Sequence, residues 1–132
     1  MRMRPVLTAV DAERMVTAAR EEAVRRGWAV SIAVVDDGGH LLRLERLDGA
    51  GPQSPDIAMR KARSAALART PTRRLEEIAR ERPGTLAMPD RLPVQGGLPI
   101  AHEGEWVGGI GVSGVQSSED EIVATAGLAA LA

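Results

Sequence analysis

Two histidines are the residues of this sequence best suited to moving a proton or holding a ligand near neutral pH. His102 comes just before the dipeptide Glu103-Gly104, and His40 follows a pair of glycines. Because the imidazole pKa lies near neutrality, His102 beside a turn can act as an acid, a base or a ligand. Two isolated histidines with no carboxylate pattern around them do not predict a zinc or iron site built from protein side chains alone.

Lys61 is the single lysine of a chain that carries sixteen arginines. At about 100° per residue, helical spacing places it between Ile57 and Ala65, on the packed side of a predicted helix. A lysine there must pair with a carboxylate or ligand oxygen, or extend its amine into a wet crevice. We expect the amine to reach a cavity lined by residues 96–114 or 48–50, and Lys61→Met to keep the fold while function falls.

The glycine-rich stretch 96–114 predicts a hairpin, because Glu103-Gly104 separates two apolar runs. Glycines inside a strand indicate that another backbone or a ligand approaches closely. The residues 109–114 spell G-x-G-x-x-G, but the chain has no room for the strand that must follow in a dinucleotide-binding unit, so we reject that interpretation. We also expect two or more subunits to meet around this stretch.

The remaining chain predicts an α+β domain in the order α-ββ-αα-βββ-α. Helices are expected over residues 8–26, 54–69, 70–82 and from Ser118 onward, where Ser118 and Glu121 form a capping box. Residues 28–47 predict a first hairpin. Hairpins separated by helices favour an antiparallel sheet with helices packed on it, and a fifth strand follows if residues 94–98 also pair.

Composition bounds the function. The 132 residues contain no cysteine, which excludes disulfides and thiolate metal sites, and they fit one domain spanning 1–132. A net charge of −1 and 2% aromatic residues argue against nucleic acid as a partner. No apolar run approaches the length of a membrane span and no signal-peptide core is evident, so we predict no membrane partner and a cytoplasmic location.

Several short motifs occur in order along the chain: Val34-Val35-Asp36, Leu41-Leu42, Asp48-Gly49-Ala50, Ser54, Lys61-Ala62, Gly96-Gly97, Pro99-Ile100, residues 108–114 and Asp120-Glu121. Together they resemble the GlcG/HbpS family, whose members are labelled haem-binding or haem-degrading and are similar to the C-terminal domain of PduO corrinoid adenosyltransferases. The resemblance implies a profilin-like three-layer α/β/α sandwich around a five-stranded antiparallel sheet. It also implies a homo-oligomer.

The first function hypothesis is a small-molecule-binding protein that holds haem or a related tetrapyrrole. The glycine hairpin and an alanine-rich helix face would form its apolar slot, with Arg60, Arg63 or Arg91 available for propionates. The iron ligand would be His102, His40 or a methionine such as Met59 or Met88. The ligand-binding residues expected on these grounds are Asp48, Gly49, Ser54, Arg60, Gly96, Gly97, Gly109, Gly111 and Ser113.

The second hypothesis is a cofactor-free isomerase, lyase or cyclase acting on a carbonyl-bearing metabolite. Lys61 would serve as an electrostatic catalyst or amine, and His102 as the acid–base group. This hypothesis requires the two side chains to meet in one site.

Overall fold

The computed structural model describes residues 1–131, which form four α-helices and four strands. In chain order these are α1 (Ala9–Arg26), β1 (Ser31–Asp36), β2 (Leu41–Arg46), α2 (Ser54–Ala68), α3 (Thr72–Glu81), β3 (Gly97–His102), β4 (Glu105–Ser113) and α4 (Ser117–Ala129). A short 3-10 helix, Pro83–Ala87, lies between α3 and β3, where the sequence predicted only an irregular loop. Within residues 1–131, no helix is both long and apolar enough to cross a membrane.

The strands form one antiparallel sheet in the order β2-β1-β4-β3, so β2 and β3 are its edges. The predicted first hairpin is confirmed as β1 paired with β2. The second hairpin is also confirmed, because β3 pairs with β4 across a turn at Glu103 and Gly104. Both turn residues have positive φ, 49° and 79°, as a tight primed hairpin turn requires.

A fifth strand over residues 94–98 is not confirmed, since the sheet formed by residues 1–131 has four strands. Gly96 has a φ of 129°, which breaks the extended run between Gln95 and Gly97. The residues that follow, Gly97 and Leu98, are the beginning of β3 rather than a separate strand. The observed order is therefore α-ββ-αα-ββ-α.

Helices cover both faces of the sheet, as the three-layer arrangement requires. Alternation along β1 separates the two cores. Ile32 and Val34 pack with α1 and α4, whereas Ala33 and Val35 pack with the alanine face of α2. The β1 residues are buried on both sides, which explains why that strand has no polar face.

The predicted start of α1 is confirmed, whereas that of α4 needs correction. Thr8 and Asp11 form the expected capping box of α1. In α4, however, Gln116 and Glu119 form the box, two residues before the predicted pair. Ile122, expected to face inward, is 39% exposed. The inward face of α4 is instead Asp120, Val123, Ala124 and Gly127.

Candidate functional site

The glycines of β4 accommodate a helix backbone. A Cβ added at Gly111 would overlap the carbonyl oxygen of Ala58, and one at Gly109 would overlap that of Ala62. A Cβ at Gly97 would likewise overlap the Lys61 carbonyl oxygen. The alanine face of α2 therefore lies directly on the glycine strand, and the apolar slot expected between them is filled by the protein itself. α2 occupies the space in front of these three glycines. A ligand-binding role for them stays a prediction.

Lys61 lies on the packed side of α2, as helical spacing predicted, and its amine is paired. Its Nζ lies 3.0 Å from Asp120 Oδ2 and donates a hydrogen bond of 3.0 Å to the Val112 carbonyl oxygen. Both charged side chains are 2% exposed. Of the alternatives that the sequence allowed, the carboxylate partner is the one observed.

The pair sits where β3 begins and β4 ends. A Cβ added at Gly96 would lie 2.8 Å from Lys61 Nζ, so the missing side chain leaves room for the ammonium group. The other carboxylate oxygen, Asp120 Oδ1, accepts a hydrogen bond from the Val115 N–H. Burial raises the pKa of Asp120, while Lys61 opposes that shift. Sequence reasoning missed Asp120 as the partner because it placed the start of α4 two residues too late.

Other residues from the predicted ligand set lie at the same end of the sheet. The buried hydroxyl of Ser54 is 2.8 Å from that of Ser31, and Ser31 pairs across the sheet with Ser113. Asp48 is exposed and Gly49 has a φ of 87° in the loop between β2 and α2. Ser54 is the first residue of α2 rather than its cap, which is Gln53.

His102 lies at the opposite end of β3, beside the hairpin turn. Its side chain is 52% exposed, and the nearest carboxylate oxygen, on Glu103, is 3.7 Å from Nε2, beyond hydrogen-bonding distance. The imidazole faces a cleft of about 300 Å³, here called the histidine cleft. Its lining is Pro5, Val6, Leu7, Asp11, Arg14, His102, Val107 and Leu131.

A second, wider cleft of about 550 Å³ adjoins the other side of His102. This hairpin cleft is predominantly apolar, and its lining is Pro99, Ala101, His102, Glu103, Thr125, Leu128, Ala129 and Leu131. His102 and Leu131 belong to both clefts. An exposed imidazole thus stands between the histidine cleft, whose lining combines apolar side chains with Asp11 and Arg14, and the predominantly apolar hairpin cleft.

Lys61 and His102 are not brought together. The Lys61 amine lies beside Gly96, and the rise from Gly97 to His102 along β3 is about 17 Å. His102 also borders a cleft that is lined by Asp11 and Arg14 of α1, whereas Lys61 is carried by α2. The catalytic pair of the second hypothesis is therefore separated by the length of a strand.

The three arginines proposed for propionates do converge, but on the α2 face of the sheet. They line the arginine cleft, of about 200 Å³, which comprises Arg60, Arg63, Ser64, Met88, Asp90, Arg91 and Leu92. Arg63 Nη1 donates a hydrogen bond to the Gly39 carbonyl oxygen. The exposed His40 follows Gly39 in the chain and therefore lies near this cleft without lining it. Met59 is partly buried against the core beneath α2. Within residues 1–131, no three His, Asp or Glu side chains come close enough to hold a metal ion.

Comparison with known proteins identifies the family. The model of the family described as "Haem degrading protein HbpS-like" matches residues 7–129. The chain belongs to the HbpS-like family. It is 40% identical over 114 residues to Protein GlcG of Escherichia coli (strain K12), covering 86% of this chain and 85% of that protein.

Solved structures of HbpS-like proteins share the fold. A double mutant of HbpS from Streptomyces reticuli is 40% identical, with a TM-score of 0.94 over 100% of this chain and 91% of that one. The structure described as "PduOC:Heme Complex" is 26% identical, with a TM-score of 0.87 over 96% of this chain and 95% of that one. The α+β fold with four helices and a four-stranded antiparallel sheet is the HbpS fold.

Proposed function

We propose that the protein binds haem or a related tetrapyrrole at His102, between the histidine cleft and the hairpin cleft. The observation that carries this proposal is the position of one half-exposed imidazole between the predominantly apolar hairpin cleft and the histidine cleft, which has both apolar and charged lining residues. A flat macrocycle needs apolar walls and, for its iron, a ligand that is not already engaged. His102 meets the second requirement because Glu103 Oε1, at 3.7 Å, is too far away to hold its ring nitrogen.

The surroundings of His102 fit such a ligand. Leu7 and Val107 are buried beneath the histidine cleft, and Leu131 belongs to both clefts. Arg14 is exposed at the same cleft and offers a guanidinium for a carboxylate at the edge of the macrocycle. When bound, haem would supply an iron centre whose reactivity depends on its axial ligand and on the polarity around it.

The relatives support the chemical class of the ligand. The matching family is described as haem-degrading, and one structural neighbour is a haem complex. The arginine cleft is the less favourable place for a macrocycle, because it is smaller and three charged guanidinium groups line it. Arg60, Arg63 and Arg91 lie on the α2 face, away from His102, and are not part of the proposed haem site.

The cofactor-free enzyme is not proposed. Its two catalytic residues, Lys61 and His102, lie at opposite ends of β3. Lys61 is 2% exposed, and its amine is bound to Asp120 and Val112. A substrate carbonyl could reach that amine only after the ion pair opened.

We further propose that copies of the chain assemble through β3. This strand is an edge of the sheet, so one side of its backbone is open to pairing, and it borders the apolar hairpin cleft. The glycine-rich part of β4 is covered by α2 and is not available for such a contact. A single monomeric species in light scattering at micromolar concentration would contradict the assembly, and Ala101→Lys should reduce the oligomer size if β3 pairs.

The haem proposal is tested by titrating haem into the purified protein and recording the Soret band. We expect a sharp, saturable shift that His102→Ala abolishes. His40→Ala and Met88→Leu are the matched controls, because both residues are exposed potential ligands outside the two clefts, and both variants should keep the shift. A shift that survives His102→Ala, or an unchanged spectrum at tens of micromolar haem, would overturn the proposed site.

A further inference from the structure

The arginine cleft carries a surplus of positive charge. Three guanidinium groups and a single carboxylate, that of Asp90, line a space of about 200 Å³. Pockets for drug-sized ligands are usually larger, about 300–1,000 Å³, so this cleft suits a smaller molecule. It lies on the α2 face, away from the clefts at His102, and is independent of the proposed haem site.

The cleft is built on a fixed frame. Arg63 Nε is 3.0 Å from Asp90 Oδ1, and Arg63 Nη1 also donates to the Gly39 carbonyl oxygen. The hydrogen bond from Arg63 lowers the pKa of Asp90, so this carboxylate stays ionised. Arg63 and its partners therefore hold the β1–β2 turn and residue 90 in place.

A buried hydroxyl fixes the rest of the frame. Ser64, which is 2% exposed, accepts a hydrogen bond of 2.8 Å from the Leu92 N–H and donates one of 2.7 Å to the Arg60 carbonyl oxygen. The segment that carries Arg91 is thereby attached to α2. Arg91 at the rim of the cleft therefore lies between two residues, Asp90 and Leu92, that are both hydrogen-bonded to α2.

Among residues 1–131, two of the three guanidinium groups make no hydrogen bond to a carboxylate, although Arg60 has a loose ion-pair contact with Asp56. Asp56 Oδ2 is 3.8 Å from Arg60 Nε, too far for a hydrogen bond. Within residues 1–131, Arg91 has no carboxylate oxygen within 4.0 Å. A guanidinium offers a planar pair of donors that matches a phosphate or carboxylate group. Two such groups on one small cleft match two anionic groups on one ligand.

We propose that the arginine cleft binds a small phosphorylated metabolite with two anionic phosphate-type groups, held by Arg60 and Arg91. Met88 and Leu92 offer apolar contact to the remainder of the ligand. Arg63 orients the frame through Asp90 and contributes the third positive charge. The site is thus a second binding site on the opposite face of the sheet from His102.

The experiment is a calorimetric titration of the whole chain with sodium pyrophosphate as the probe. Inorganic phosphate and succinate are run in parallel at the same ionic strength. We expect pyrophosphate to bind more tightly than inorganic phosphate, and Arg60→Gln and Arg91→Gln each to weaken it about two- to fivefold, the usual effect of losing a solvent-exposed ion pair. Arg60→Lys, which keeps the charge and loses the planar pair, should fall between Arg60→Gln and the wild type.

Arg43→Gln is the matched control, because Arg43 is an exposed arginine on the edge strand β2. This variant should bind pyrophosphate as the wild type does. No saturable binding up to about 10 mM pyrophosphate would overturn the proposal. Equal affinity in all variants would also overturn it, and tighter binding of succinate than of pyrophosphate would overturn the phosphate assignment. Because Arg60 is exposed and Arg91 lies at the rim of the cleft, the variants are expected to fold.

Discussion

Lys61 Nζ lies 3.0 Å from Asp120 Oδ2, and this contact joins helices on opposite faces of the sheet. The amine also binds the carbonyl oxygen of Val112, and the carboxylate accepts the N–H of Val115. The nitrogen and both carboxylate oxygens of the pair therefore have partners, at a point where the two helical layers meet beside the start of β3 and the end of β4. Taking two charges out of water is costly, and their mutual attraction and hydrogen bonds offset that cost, but breaking the pair leaves an isolated charge inside the protein.

Removing either partner alone should destabilise the protein strongly. Lys61→Met leaves the Asp120 carboxylate buried without its cation, and Asp120→Asn leaves the ammonium group without its anion. We expect each to lower the free energy of unfolding by about 3–5 kcal/mol. The expectation that Lys61→Met keeps the fold unharmed is therefore revised. Urea unfolding followed by circular dichroism measures the difference.

The double variant Lys61→Met/Asp120→Asn provides the control for that measurement. It contains no buried charge, and the amide of Asn can donate toward the Val112 carbonyl oxygen that Lys61 binds in the wild type. We expect it to recover roughly half of the stability lost in the single variants. Losses that simply add in the double variant would show that the two groups act independently.

The stability of Lys61→Met should depend on pH with a definite sign. Burial raises the pKa of the Asp120 carboxyl group in the folded protein. The protonated carboxyl group therefore favours the folded state below the ordinary pKa of aspartate, and this contribution to stability is lost as the pH rises through the raised pKa. Lys61 opposes the shift, and removing it raises the pKa further. Lys61→Met should therefore be least stable, relative to the double variant, at about pH 7, and the difference should fall toward zero at about pH 4.

Urea unfolding of both proteins at several pH values tests this prediction. The double variant is the appropriate reference because both proteins share the Lys61→Met change and differ only in the titrating carboxyl group. A difference that stays constant from neutral to acidic pH would mean that Asp120 does not carry the penalty.

The position of Lys61 is predicted from the sequence, but its partner Asp120 is not. Helical spacing is enough to place Lys61 on the packed side of α2, and that prediction is confirmed. The predicted capping box of Ser118 and Glu121 starts α4 at Ser118. That start places Asp120 in an exposed first turn, so Asp120 is not predicted as the partner of Lys61. A signal was present, since Asp120, Val123, Ala124 and Gly127 are spaced as one helix face. A buried lysine needs an acceptor for its ammonium group, and a carboxylate on the buried face of another helix can supply it.

The glycines show a different limit. A glycine in a strand indicates a close approach but does not identify what approaches. At Gly109 and Gly111 the neighbour is the backbone of α2. The alanines at 58, 62 and 66 lie on the facing side of that helix, and the predicted packing of helices on the sheet is confirmed there. The clefts at His102 could not be predicted, because they depend on where the chain before α1 and the end of α4 come to lie.

The close packing at Gly111 gives a direct test of this interpretation. A Cβ there would overlap the Ala58 carbonyl oxygen and lie 2.5 Å from the Ala62 nitrogen, and backbone atoms cannot rotate away. We expect Gly111→Ala to lower the free energy of unfolding by about 3 kcal/mol or more. Gly51→Ala is the control, because nothing lies within 4 Å of its added Cβ, and it should change stability by less than about 0.5 kcal/mol. Equal stabilities of the two variants by thermal unfolding would contradict the close approach of α2.

Arg14 should strengthen haem binding without determining the spectrum. It is exposed on α1 at the histidine cleft, where its guanidinium can pair with a propionate but cannot serve as an iron ligand. An exposed pair contributes about 0.2–1 kcal/mol, so Arg14→Gln should raise the haem dissociation constant about two- to fivefold and leave the position of the Soret band unchanged. Because salt screens such a pair, added sodium chloride should weaken wild-type binding more than it weakens Arg14→Gln. Arg60→Gln, on the other face of the sheet, should behave as the wild type in the same titration. An effect of Arg60→Gln with none of Arg14→Gln would place the macrocycle in the arginine cleft instead.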